Sequence, residues 1–92
     1  MTGTTITSEG LDARRRKLLF RSWHRGMREM DLILGTFADS EIATLTDTEL
    51  DHYERLLDVA DTVLLPWMTG EQAAPNDAMI ARIIAFRRSM TF

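Results

Sequence analysis

Eleven consecutive residues hold most of the side chains in this 92-residue sequence that could do chemistry. Arg21-Ser22-Trp23-His24-Arg25-Gly26-Met27-Arg28-Glu29-Met30-Asp31 places three guanidinium groups, an imidazole and two carboxylates about a single glycine. An imidazole beside carboxylates can move protons. Guanidinium groups offer forked donors to carboxylates on another molecule, and glycine admits close approach of a second backbone. The recognition chemistry fits better. His24 and His52 are the only histidines and stand far apart, and there is no nucleophile elbow, Gly-rich phosphate loop or His-Glu-x-x-His helix. His24 therefore reads as a surface residue at a corner, and His52 as a solvated residue on an acidic helix. Asp47, Asp51 and Glu54 share one helical side, but a divalent cation there would need a loop or second helix to complete its shell. A solvated face is the simpler reading. With no cysteine, the chain forms neither disulfides nor thiolate metal sites.

The corner must be positioned by helices. Glycine inside a helix costs about 1 kcal/mol relative to alanine, so Gly26 marks either a helix end or a place kept clear for another backbone. On one unbroken helix Arg25 and Glu29 would pair four residues apart. If the helix breaks at Gly26, each instead lies at a helix end whose dipole suits its charge.

Upstream, Leu11, Leu18, Leu19 and Trp23 form an apolar face with Phe20 at its edge, on a first helix opened by Ser8 or Glu9 and ending near Arg25. The run Arg14 to Lys17 is the wet side of that helix. Downstream, Met30, Ile33, Leu34, Phe37, Ile42 and Leu45 predict a helix from about Met27 to Leu45, bent near Phe37–Ser40, with Gly35 letting a neighbour approach. Thr46-Asp47-Thr48-Glu49 is a capping box. It opens a third helix with Leu50, Tyr53, Leu56, Leu57 and Ala60 on one face and Asp47, Asp51, Glu54 and Asp58 pointing away. Asp61 is the expected N-cap of a short fourth helix carrying Val63, Leu64, Trp67 and Met68 to Gly70. Pro66 predicts a kink or a single turn there. Pro75-Asn76-Asp77 starts a last helix with Met79, Ile80, Ile83 and Ile84. Trp23, Trp67, Met27 and Met30 are expected in the core. No stretch alternates with period two. The fold class is all-α: a compact bundle of about five short helices, with residues 1–8 a polar, disordered tail and 9–92 one domain.

Net charge is −3, which weighs against nucleic acid as a partner. The average conceals an asymmetry. Seven of the eleven basic residues fall between Arg14 and Arg28, whereas Asp39 to Asp61 holds eight acidic residues and only Arg55 as a base. The two sets are solvated faces or a means of steering one partner to one side. No apolar run approaches the roughly 20 residues of a membrane span, and the start lacks the pattern of a signal peptide, so a cytoplasmic protein is expected.

The corner also resembles a known family. Arg25-Gly26-Met27-Arg28-Glu29 is similar to the Arg-Gly-x-x-Glu signature of the succinate dehydrogenase assembly factors, also called flavinylation factors. The likeness continues through Arg21-Ser22-Trp23-His24, Met30-Asp31-Leu32-Ile33-Leu34-Gly35, Leu45-Thr46-Asp47-Thr48-Glu49-Leu50, Tyr53-Glu54-Arg55-Leu56-Leu57 and Trp67-Met68-Thr69-Gly70. Pro66 departs from it and bears on the geometry of the fourth helix. The resemblance implies a bundle of about five helices and a chaperone role in covalent attachment of FAD to the flavoprotein subunit of succinate dehydrogenase. The fumarate reductase flavoprotein is a second candidate client. It further implies no stably bound cofactor, since FAD belongs to the partner, with at most weak affinity for free FAD. Carried over by position, Arg25, Gly26 and Glu29 bind the partner, with Arg21, His24, Arg28 and Asp31 as neighbours in the same surface. The competing reading is a small helical adaptor that binds another protein through its Arg-rich first helix. An enzyme acting on flavin itself is disfavoured by the lack of a base–nucleophile pair.

Overall fold

The computed structural model describes residues 10–89, which form five α-helices: α1 (Ala13–Trp23), α2 (Arg28–Glu41), α3 (Asp47–Leu57), α4 (Asp61–Thr69) and α5 (Ala78–Arg88). No strand occurs among the described residues. The expected tail and the Ser8 or Glu9 helix start lie outside them. Instead Asp12 caps α1, its carboxylate accepting the Arg15 amide at 2.8 Å. The Arg15 amide and then its guanidinium hold that carboxyl below the usual range.

Helix α2 is the centre of the bundle, packed against α1 on one side and α5 on another, while α3 touches α1 and α5. The expected apolar positions largely fill the core: Leu18, Leu34, Phe37, Leu50, Tyr53, Leu64 and Ile83 are essentially inaccessible. Phe37 packs with Tyr53 and Phe86, both ring centroids 5.6 Å away, the latter edge-on. The Tyr53 hydroxyl shares a 2.7 Å hydrogen bond with the buried Ser22 hydroxyl, which also meets the Leu18 carbonyl. Burial pushes the Tyr53 phenol well above its ordinary pKa, so it stays a neutral partner in this pair.

Several boundaries differ from the sequence expectation, each for a visible reason. Helix α2 runs unbroken through Phe37–Ser40 and stops at Glu41, not Leu45. Ile42 and Leu45 still reach the core, but their carbonyls accept the Arg15 guanidinium at 2.9 and 2.5 Å. Ala60 is exposed and is the N-cap of α4, while Asp61 sits inside the helix because its carboxylate is drawn to Arg25. Val63 is 43% exposed; Leu64 and Met68 carry the buried side of α4 instead. Pro66 is accommodated inside a nine-residue α4 rather than cutting it to one turn. Gly70, at φ +85°, then turns the chain, and the Gln72 amide returns to the Pro66 carbonyl at 3.1 Å. Trp23 and Met30 are buried as expected, whereas Trp67 and Met27 are partly buried against the core's edge.

The capping box at Thr46 forms in both directions, Thr46 Oγ1 accepting the Glu49 amide at 3.2 Å and Glu49 accepting the Thr46 amide at 2.9 Å. The Thr46 amide, with help from Arg82, holds the Glu49 carboxyl below its usual range. Arg82 of α5 spans Glu41 at 2.5 Å and Glu49 at 3.1 Å, tying the end of α2 to the start of α3.

His52 is not simply solvated: its Nε2 donates to Asp77 at 2.7 Å, and Asp77 also caps α5 by accepting the Ile80 amide at 2.9 Å. Burial raises the Asp77 carboxyl, but the Ile80 amide and His52 together outweigh it and hold the group below its ordinary 3.8. A carboxyl depressed by folding stabilises above its unfolded pKa, and that contribution is lost as pH falls through the folded one. Asp77→Ala is therefore expected to lose about 1 kcal/mol near neutral pH. In urea melts its gap to the parent should narrow below pH 3.8. A gap that stays constant into acid would assign the effect to packing alone.

Candidate partner-docking site

The corner forms because α1 stops at Trp23 and four residues, His24 to Met27, turn the chain into α2. His24 caps α1, its amide returning to the Arg21 carbonyl at 3.3 Å. Gly26 lies at φ +91°, a conformation that side-chain-bearing residues reach only with strain. A Cβ built there meets nothing within 4 Å. The glycine thus serves the turn, and the space over it is open. Glu29 and Asp31 occupy the first turn of α2, where the helix dipole favours carboxylates. Asp31 also reaches back to accept the Arg25 amide at 2.6 Å, which fixes the turn from inside.

Arg25 and Glu29 do not pair. All three guanidinium nitrogens of Arg25 are engaged elsewhere: Nε donates to Asp61 at 2.9 Å, Nη2 to the Val59 carbonyl at 2.6 Å, and Nη1 to the Leu57 carbonyl. The side chain is only 10% exposed and Asp61 17%. Arg25 therefore clamps the α3–α4 turn onto the corner. Arg15 does the same for the end of α2, so it is not on the wet side of α1 as its neighbours suggested.

The basic and acidic segments face one another. Arg14 meets Asp51 at 2.6 Å and Glu54 at 2.9 Å, Arg21 meets Asp58 at 2.8 Å, and Arg25 meets Asp61 at 2.8 Å. Asp51 and then Glu54 raise the Arg14 pKa. The rungs climb both segments in the same direction and form an ionic seam between α1 and α3. Neither set is a freely solvated face. Asp51 and Glu54 serve Arg14, and no group of three or more potential metal ligands exists among the described residues. A signal for the seam was present: Arg14 and Arg21 are seven residues apart, as are Asp51 and Asp58.

Behind the corner, Trp23 lies flat on α2. Its indole N–H donates to Asp39 at 3.2 Å, and a Cβ on Gly35 would sit 2.2 Å from the ring. Gly35 and Asp39 are one helical turn apart and together receive the ring.

Among the residues singled out from the sequence, the structure brings all seven to this corner but sorts them. Arg21, Arg25 and Asp31 are half-buried and bonded within the chain. His24, Gly26, Arg28 and Glu29 are exposed, and neither Arg28 nor Glu29 has an ion-pair partner among the described residues. Beside them a cleft of about 450 Å³ runs between the corner and the α3–α4 turn, walled by Phe20 and His24 and by Val59 and Ala60. His24 Nδ1 bonds the Phe20 carbonyl at 2.7 Å. An open glycine turn thus lies beside the exposed Arg28 and Glu29, on a base fixed by the hydrogen bonds of Arg25 and Asp31.

Comparison with known proteins gives the corner a context. The family described as flavinator of succinate dehydrogenase, Sdh5, matches residues 16–89. A protein of Acetobacter pasteurianus named FAD assembly factor SdhE is 36% identical over 72 residues, covering 78% of this chain and 66% of that protein. Proteins named succinate dehydrogenase assembly factor 2, mitochondrial, are similar as well. The one from Mycosarcoma maydis is 38% identical over 74% of this chain and 29% of its own length. The one from Dictyostelium discoideum is 40% identical over 68% and 45%. The chain thus spans less than two thirds of the bacterial relative and under half of these two mitochondrial ones. No solved structure matches it.

Proposed function

Since the chain belongs to the Sdh5 family, the flavinators of succinate dehydrogenase, we propose that it is an assembly chaperone that binds the flavoprotein subunit of succinate dehydrogenase and promotes covalent attachment of FAD to it. The observation that carries the reading is the open Gly26 turn with Arg28 and Glu29 exposed beside it, in the segment the family match includes. The bond forms on the partner, so the chain needs no nucleophile of its own. Holding reacting groups in attack geometry can by itself lower a barrier by several kcal/mol, of order 7–11. A factor that prefers one arrangement of its partner shifts the population toward it. Arg25, Arg21 and Asp31 hold the surface in shape; Gly26, Glu29, Arg28 and His24 meet the partner. FAD stays with the client, which extends to the fumarate reductase flavoprotein. The encounter is proposed for the cytoplasm, with the bacterial relative as support.

The test mixes the flavoprotein subunit with FAD, with and without this protein, and reads covalent flavin fluorescence on a denaturing gel. The parent should bind the subunit and raise covalent flavin. Gly26→Arg and Gly26→Ala share the cost of a positive φ, about 1 kcal/mol, but only Arg fills the open space. Gly26→Arg should fold yet lose binding and flavinylation, while Gly26→Ala keeps most of both. Glu29→Ala should weaken binding while changing stability by less than about 0.5 kcal/mol. No binding and no rise in covalent flavin with the parent would remove this reading and leave the helical adaptor in first place.

A further inference from the structure

Phe20 is unusual for this molecule. It is 61% exposed, the most accessible large hydrophobic side chain among the described residues. It is also stacked on a neighbour. Its ring stacks on His24 with centroids 3.9 Å apart and planes 17° from parallel, and His24 is itself tied to the Phe20 carbonyl. An exposed aromatic fixed before binding loses little freedom on association, which is the property of interface anchors. It lies on the outer face of α1 with Lys17 and His24, three and four residues to either side, and forms a wall of the cleft beside the Gly26 turn.

The charges around it decide what it fits. Arg14, Arg21 and Arg25 are neutralised in the ionic seam. Arg16, Lys17 and Arg28 are exposed and enter no ion pair among the described residues. The helix face beside Phe20 is therefore cationic through Lys17 and Arg16, three and four residues before it, while the carboxylates of the cleft, Asp58 and Asp61, are taken up by Arg21 and Arg25. A second copy docking through this face would add its own Arg16 and Lys17 to an interface whose cleft carboxylates are already paired, so like charge disfavours it. We infer that Phe20, stacked on His24 and flanked by Arg16 and Lys17, is a preorganised anchor of the flavoprotein interface that seats in an apolar, carboxylate-bordered pocket of the partner.

This extends the docking site one helix beyond the Gly26 turn and rests on the function proposed above. The test measures affinity for the immobilised flavoprotein subunit at low and high salt, with melting temperature and sedimentation equilibrium for each variant. Phe20→Ala should weaken binding about 10- to 100-fold, and Phe20→Leu should restore part of the loss. Neither should move the melting temperature by more than about 2 °C, because the side chain is largely outside the core. Lys17→Glu should weaken binding more at low salt than at high salt. Phe20→Ala binding like the parent while Gly26→Arg does not would overturn the anchor and leave the docking corner standing. Dimerisation of the parent that Phe20→Ala abolishes would overturn it in favour of a second copy. Failure of the parent to bind would remove the anchor together with the function on which it rests.

Discussion

Arg25→Ala is expected to lose about 3 kcal/mol of folding stability, a drop in melting temperature on the order of 10–20 °C for a domain of this size. Its removal leaves Asp61, 17% exposed, as an unpaired carboxylate and takes the donors from the Leu57 and Val59 carbonyls. Breaking a buried pair from one side costs about 3–5 kcal/mol, mostly through the charge left behind. Because neither partner is fully sealed from water, the lower end applies. Adding Asp61→Ala removes that stranded charge. The double variant should be less unstable than the two single losses added, by about 1 kcal/mol or more. Thermal and urea melts of the four proteins decide it. Strict additivity, or a single-variant loss under about 0.5 kcal/mol, would make the clamp a surface contact. The distinction matters for function. A flavinylation defect in Arg25→Ala would report a collapsed corner, whereas one in Glu29→Ala would report a lost contact.

Gly35→Val should be comparably damaging, at about 3 kcal/mol. The first added carbon would stand 2.2 Å from Trp23 Cδ2, with two more ring atoms at 2.4 and 2.6 Å. The indole cannot slide away freely, since its N–H is bonded to Asp39 and the ring is 8% exposed. Even Gly35→Ala should be destabilising, although alanine gains about 1 kcal/mol in helix propensity. Pairing either variant with Trp23→Phe, whose smaller ring makes room, should recover part of the loss. Calorimetry of Gly35→Ala, alone and in that background, is the direct check. A stabilised Gly35→Ala would mean that the ring and α2 are not in contact.

The residues that were legible in the sequence are those whose roles are local. The Thr46 capping box involves residues three apart and needs no tertiary partner to be recognised. The helical spacing of Leu50, Tyr53, Leu56 and Leu57 likewise reports burial directly. Gly26 was legible as a break because its penalty is a backbone property. What was not legible depends on partners 27 to 36 residues away along the chain. Nothing near Arg25 says that its guanidinium will reach Leu57, Val59 and Asp61. The motif residue most readily taken for a contact is therefore the one spent inside. Arg15 was hidden in a run of four cations for the same reason. Ala60 and Val63 followed the expected period but fell at a helix start and on an exposed side, where periodicity continues without burial.

Arg15 and Arg25 stand at opposite ends of one helical segment, and each terminates another helix. The first fills carbonyls just beyond α2, across 27 and 30 residues of sequence; the second fills those at the end of α3 and just beyond it, across 32 and 34. Neither helix end is satisfied until the first segment has docked. That segment is thus a strap whose release would open both ends together, making α1, the end of α2 and the end of α3 one cooperative folding unit. Small domains seldom let such a unit open without unfolding altogether. Any partner then meets the corner as a preformed shape, and induced remodelling on contact falls to the partner's side.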